Sequence, residues 1–367
     1  MIWKVILLVC IAAVAQHLYR LAMIMGYHKM VYIHWPGSCR NVNPVRTGSE
    51  DLTVTDDGVV FITSGVRPRV CESDPIDPRI YHFQGRIYLF DFNHPEEDAQ
   101  ELKLPEEISK SNFNPHGVDS WFDKESRITY LFVVNHRPDG DAVEIFRFEK
   151  ASTSLKHIRT VQAPEFRSLN DVVAVGMKEF YVSNDGYYQN CWRAIESLLL
   201  LKWASLVHFD GVKAKLVARG LGLNGLSQSL DGKLIYATSP LERTVYTYRR
   251  AEDGMLEMLH QLYVGTGVDN IFVHPKSGEL WLGAHLQGHS FLKHCQNIDL
   301  LSPSQIIRIQ PLGPLENPLE AFKLFDPFCD TGELISGSSA AVVYGNKLLI
   351  GSVFHKLAFC EMRVPTY

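Results

Sequence analysis

No Asn-x-Ser/Thr acceptor occurs in the 367 residues, so N-linked glycosylation is not expected. No Cys/His spacing of the zinc type is present, no glycine-rich loop is available to cradle a phosphate, and no low-complexity tract interrupts the chain. A surplus of positive charge is also missing. Lys and Arg number 36 against 41 Asp and Glu, a net charge of −5, which offers no basic face to nucleic acid. What is there is ordinary for a globular protein: 46% hydrophobic and 21% charged residues, ample for a large core.

The N-terminus stands apart. Residues 5–15 are unbroken apolar, preceded by Lys4 and ending in a small-residue Ala13-Val14-Ala15 pattern that suits signal cleavage. A second apolar patch, 18–25, is interrupted only by Arg20, and the two patches together are long enough to span a bilayer uncut. We therefore expect residues 1–30 to be a hydrophobic signal or anchor segment, with the anchor favoured, and residues 31–367 to form the folded domain. Either way the chain enters the secretory route, membrane-anchored or extracellular, where disulfides form. Seven cysteines are present, and the sequence alone leaves their pairing open.

The body of the chain repeats one pattern: a polar doublet, a short apolar strand, a turn of Asp, Asn, Gly or Lys, and a second strand. It reads Glu50-Asp51 in "SEDLTVTDDGVVFIT", His116-Gly117 in "NPHGVDSWFDKESRITYLFVVNH" and Asn170-Asp171 in "LNDVVAVGMKEFYVSNDG". It returns as Asn224-Gly225 in "NGLSQSLDGKLIYAT", Asp269-Asn270 in "VDNIFVHPKSGELWLG" and Ser338-Ser339 in "SGSSAAVVYGNKLLIGSV". The spacing leaves room for two more strands per copy, such as "VEIFRFEK" and "TVYTYRR". Strand signals at this period predict an all-β fold, a six-bladed β-propeller. A β-sandwich does not repeat a four-strand unit.

In a propeller, residues that open the innermost strands point at the central tunnel. Six doublets would thus crowd carboxylates and amides at one end of the axis, where they need an organising partner. A hard cation is that partner, and an oxygen-only set rich in Asn favours calcium over zinc.

At these residues the sequence resembles the serum paraoxonase/arylesterase family. The motifs "TGSEDL", "NFNPHG", "VVNH", "LNDVVAVG", "FY-x-x-ND", "NG-x-x-x-S-x-DGK-x-x-Y", "VDNI" and "GSVFHK" follow one another in family order from about Cys39 to Cys360. The resemblance implies two calcium ions in the tunnel. A catalytic one would be held by Glu50, Asn170, Asn224, Asp269 and Asn270, and a structural one by Asp51, Asp171 and the carbonyl of Val118. It implies that His116 and His136 shuttle a proton from water, that His285 lines the pocket, and that Cys39 and Cys360 form a disulfide. It also implies an inserted amphipathic helix, about 191–209, beside the tunnel mouth, whose Trp192 and Trp203 suit a lipid interface. The chain departs from the family pattern at Gly222 and Gly186, which bears on substrate choice, and Ala284 stands where the family has a free cysteine beside the pocket, so no thiol is expected to act there.

These residues lead us to expect a calcium-dependent hydrolase of lactones and aryl esters, with organophosphate triesters as a side activity. Its expected partners are a small lipophilic ester or lactone and a membrane or lipoprotein surface. The alternative is a membrane-anchored, paraoxonase-like chaperone or scaffold without significant hydrolysis.

Overall fold

The computed structural model describes residues 2–68, 75–189, 191–314 and 316–363. Among the described residues, 24 strands form six antiparallel four-stranded sheets. The innermost strands are Leu52–Val54, Pro115–Asp123, Leu169–Ala174, Leu226–Gln228, Gly267–Val273 and Ser338–Tyr344, of blades one to six. They touch one another in that order around the ring and back to the first. The fold is the expected six-bladed propeller.

The core follows from this arrangement. Each blade is covered on both faces by its neighbours, so second strands are buried on both faces and mostly apolar rather than alternating. Val59–Ser64, Phe180–Asn184 and Leu234–Ser239 are buried at every position. The buried apolar side chains form one cluster at each blade interface. Phe61, Leu131 and Phe146 lie between blades one and two, for example, and Phe132, Phe180 and Val207 between two and three. Burying each large side chain contributes roughly 1.5–3 kcal/mol.

The expected doublets stand at the mouths of these innermost strands, and several lie inside them. The ladder of blade three pairs Leu169 with Asn184 and next pairs Val172 with Val182, so Asn170 and Asp171 together face the single residue Ser183. His116-Gly117 and Asp269-Asn270 interrupt their ladders in the same way. Glu50 N and Asp51 O both bond to Thr63, and Asn224 N and Gly225 O both bond to Thr238. Each doublet is thus a β-bulge, two residues against one. A bulge re-aims side chains that a regular ladder would send into the blade interface. Sequence pattern alone marks the doublet as a strand start because nothing local announces the bulge.

Close approach around the axis needs glycine at two doublets. A side chain on Gly117 would run into the Asp171 carboxylate, and one on Gly225 would lie 2.6 Å from Asn270 Cα and from the Asp269 carbonyl oxygen. These glycines let the bulge of one blade sit directly on that of the next.

Blade six is closed by the chain's two ends. Gly37–Val42 pairs antiparallel with Leu357–Met362, and Cys39 is disulfide-bonded to Cys360 across that pair, as the sequence led us to expect. The bridge joins residues 321 apart in sequence. Substituting Cys39→Ala should cost roughly 2–5 kcal/mol in denaturant unfolding, by releasing the unfolded chain from a long closed loop. Of the remaining cysteines, Cys191 is also disulfide-bonded, Cys10, Cys295 and Cys329 are free, and Cys71 lies outside the described residues.

Helix α1, Ile2–Ile24, buries none of its residues and is long and apolar enough to cross a membrane. Its base is docked on the propeller. The Arg243 guanidinium donates to the Met23 carbonyl at 3.1 Å, and Tyr27 stacks on His289 with ring centroids 4.4 Å apart. The inserted helix is shorter than the expected 191–209. It runs only over Trp192–Leu198, and Ala204–Phe209 is the third strand of blade three. Leu200, in the left-handed region at φ 53°, stops the helix, with the Leu201 N–H closing on the Glu196 carbonyl. Part of the apolarity that extended the expectation belongs to Ala204–Phe209, a strand buried at every position, while Leu198 and Leu199 stay exposed ahead of it.

Candidate active site and metal centre

Five bulge residues from four blades stand where innermost strands open at one end of the tunnel. Glu50 comes from blade one, Asn170 from blade three, Asn224 from blade four, and Asp269 and Asn270 from blade five. All but Asn224, which is half-buried, are buried. The Asn270 amide donates to Glu50 Oε1 at 3.1 Å and to the Glu50 carbonyl at 3.0 Å, which fixes blade five against blade one. Four oxygens in this group have neither solvent nor a hydrogen-bond partner: Glu50 Oε2, Asn170 Oδ1, Asn224 Oδ1 and Asn270 Oδ1. Buried acceptors are normally satisfied, and leaving one bare costs about 1–3 kcal/mol. Four bare oxygens, one from a carboxylate and three from amides, on four blades, fit a hard cation.

Asp51 and Asp171 form a second group. Asp51 Oδ2 accepts the Val118 N–H at 2.7 Å and Oδ1 accepts the Leu52 N–H at 2.8 Å. Asp171 does the same, with the Leu226 N–H at 2.5 Å and the Val172 N–H at 2.6 Å. Each carboxylate therefore staples its own blade to another. The Val118 N–H thus ties blade two to Asp51, a contact separate from the role expected of its carbonyl. Burial, then the charge of Glu50, push the Asp51 carboxyl well above the usual range; burial and Asp51 do the same to Asp171. Burial also lifts Asp119, in the same part of the tunnel, to about 6. Nearby positive charge would relieve all three.

The histidines are brought together. His116 Nδ1 lies 2.9 Å from His136 Nε2, and His116 Nε2 lies 3.5 Å from both Glu50 Oε1 and Asn170 Nδ2. Burial opposes a charge on His116, yet Glu50, with Asp185 and Asp269 behind it, outweighs burial and raises its pKa to about 9; positive charge held by those same carboxylates would oppose this rise and favour the neutral ring. His285 is also at the site. Its Nε2 is 2.9 Å from Asp269 Oδ2, and its ring stacks on Phe291 with centroids 3.8 Å apart. Burial raises the Asp269 carboxyl, partly offset by this bond to His285.

One residue escaped the sequence reading. Asp141, buried, places Oδ1 2.8 Å from His136 Nδ1. The signal was in the hairpin: the Pro138-Asp139 loop closes Arg137 against Gly140 and so sets His136 opposite Asp141.

Beside the site, the Trp192–Leu198 helix turns its polar side inward. Glu196 is buried and accepts the N–H groups of Tyr187 and Tyr188, at 3.0 and 3.3 Å from Oε2, while Arg193 pairs with Asp185 at 3.1 Å. Trp192, Ile195 and Leu198 face outward, with Leu199 and Trp203 following. His17 of α1 hydrogen-bonds the Leu198 carbonyl at 2.8 Å, so both apolar elements lie on one side of the molecule.

Comparison with known proteins agrees with this geometry. The solved luciferin-regenerating enzyme superposes with a TM-score of 0.53 at 13% identity, covering 90% of this chain and 96% of that one, which establishes the propeller fold alone. Human serum paraoxonase/arylesterase 1 (Homo sapiens) is 36% identical over 333 residues, and its mouse counterpart (Mus musculus) 34% over 331, each match covering 89% of both chains. Rabbit serum paraoxonase/lactonase 3 (Oryctolagus cuniculus) is 33% identical with the same coverage. The arylesterase family pattern matches residues 31–362, which takes in all six bulges, both histidines and the disulfide. With the whole propeller matched in order and relatives above 30% identity along nearly all of its length, this chain belongs to the arylesterase family.

Proposed function

We propose that the protein is a calcium-dependent hydrolase of lactones and aryl esters, with organophosphate triesters as a side activity. The observation that carries this reading is the set of four buried oxygens without partners on the bulges around the tunnel, with His116 3.5 Å from Glu50 and from Asn170. Relatives named arylesterase and lactonase support the substrate class.

Glu50, Asn170, Asn224, Asp269 and Asn270 would hold one ion; Asp51, Asp171 and the backbone at Val118 would hold a second. Two carboxylates at each site match a divalent charge. The first ion supplies positive charge where the ester oxygen becomes negative in the transition state. The protein's own groups do the rest. Asn270 and His285 hold Glu50 and Asp269 in place. His116 takes a proton from water at Nε2 and His136 shares the resulting charge through the 2.9 Å contact.

The outward apolar face of the Trp192–Leu198 helix, together with α1, supports seating on a membrane or lipoprotein surface. An apolar helix and a disulfide both suit the secretory pathway. A lipophilic ester would then reach the tunnel from the phase in which it dissolves.

The test is turnover of phenyl acetate and of an alkyl δ-lactone by the full-length protein in detergent. Chelation should abolish turnover and added calcium restore it. His116→Gln should lower kcat by about 10²-fold or more while the protein stays folded. Absence of turnover by folded, calcium-loaded protein would overturn the reading and favour a scaffold.

A further inference from the structure

Asp141 touches the histidine pair and has no part in the mechanism above. We propose that Asp141 is a positioning residue that selects the tautomer of His136, and through it that of His116, so that the His116 Nε2 lone pair is the one presented to water. The inference rests on the hydrolase reading for its consequence and on the geometry alone for its chemistry.

The pair can be wired in two directions. Either His116 Nδ1–H donates to His136 Nε2, or His136 Nε2–H donates to His116 Nδ1. The second arrangement places the remaining hydrogen of a neutral His116 on Nε2, where a base needs a lone pair. The 2.9 Å contact is the same in both. A carboxylate decides between them, because an ionised carboxylate only accepts. With Asp141 Oδ1 2.8 Å away, the hydrogen of His136 sits on Nδ1. Its Nε2 must then accept, His116 must donate from Nδ1, and the neutral His116 carries its lone pair on Nε2; Glu50 Oε1 is the competing carboxylate there, but at 3.5 Å it is far outside the 2.8 Å reach of Asp141.

Asp141 is itself held for this task. Oδ2 accepts the Leu169 N–H at 2.8 Å and the Gln189 side-chain amide at 2.5 Å. The carboxylate is buried and lies directly across a tight hairpin from the ring it serves. In the reaction, the water O–H bond breaks, its proton goes to His116 Nε2, and the hydroxide oxygen bonds to the ester carbonyl carbon. The histidine pair gains one positive charge, facing the fixed negative charge of Asp141. The same groups return the proton to the leaving oxygen.

Asp141→Asn is the informative change. The Leu169 N–H needs an acceptor, so the new amide turns its oxygen there and presents NH2 to His136, which forces the opposite tautomer. Wild type, Asp141→Asn, His136→Gln and the double variant are compared on phenyl acetate at saturating calcium. Asp141→Asn is expected to lower kcat at least about 10²-fold, by analogy with the carboxylate of a serine-protease triad, with KM changed less than about threefold. In the His136→Gln background the same change is expected to cost less than about twofold, since the two residues act as one unit. Asp141→Glu should recover part of the loss. A loss of equal size in both backgrounds, or an Asp141→Asn enzyme within about threefold of wild type, overturns the inference. Nitrogen-15 spectra of histidine-labelled protein give a readout independent of turnover. His136 protonated at Nδ1 in the wild type supports the inference, and His136 protonated at Nε2 overturns it. An inactive wild type would instead overturn the hydrolase reading and leave the tautomer to be decided by the spectra.

Discussion

Glu50→Gln should reduce kcat/KM for esters and lactones by about 10³-fold or more, equivalent to roughly 4 kcal/mol of lost transition-state stabilisation. The substitution keeps the shape of the side chain and an oxygen to receive the Asn270 amide, now 3.1 Å from Oε1. The fold should therefore survive. What disappears is one of the two negative charges on the first ion, together with the bare Oε2 that no protein group satisfies. An amide in its place also turns an N–H toward a cation or toward His116. Kinetics at rising calcium, with circular dichroism as a control on folding, check the expectation. Turnover within tenfold of wild type at saturating calcium would remove Glu50 from the site.

Asp171→Ala should be the most damaging single change to stability. Asp171 receives two buried backbone N–H groups, from Val172 on its own blade and from Leu226 on the next. Leaving both without an acceptor costs about 2–6 kcal/mol, and the Tm should fall by roughly 5–15 °C. The change also removes one of the two carboxylates proposed to hold a second ion. If calcium binds as proposed, at 100 times its Kd it would add about 2.7 kcal/mol per site, so the thermal shift on chelation should shrink in the variant. A melting temperature unmoved by the substitution would show that the inter-blade staple carries little of the fold.

Much of this was legible in the sequence, and for a definite reason. A polar doublet at the mouth of a buried apolar strand is costly unless it serves a common centre, so Asn170-Asp171 and Asp269-Asn270 stood out against their surroundings. The bulges behind them were not legible. They are imposed by the packing of one blade's inner strand on the next, as at Gly225 against Asn270, and such contacts have no local sequence signature. The helix was read too long because Leu198 through Phe209 is almost continuously apolar, and periodicity cannot separate a buried strand from the end of a helix. Asp141 was missed although the turn before it was visible, because its meaning lies in cross-strand register rather than in proximity to a doublet.

The strand that seals the ring comes from the first part of the domain to leave the ribosome, and its partner from nearly the last. Until Leu357–Met362 emerges, Gly37–Val42 is a nascent edge with nothing to pair with, and Cys39 waits for a thiol 321 residues downstream. Unpaired edges recruit other chains. The yield of this protein in a cell should therefore depend on the speed of translation, and on whatever shields that edge during synthesis, more than on the durability of the finished ring.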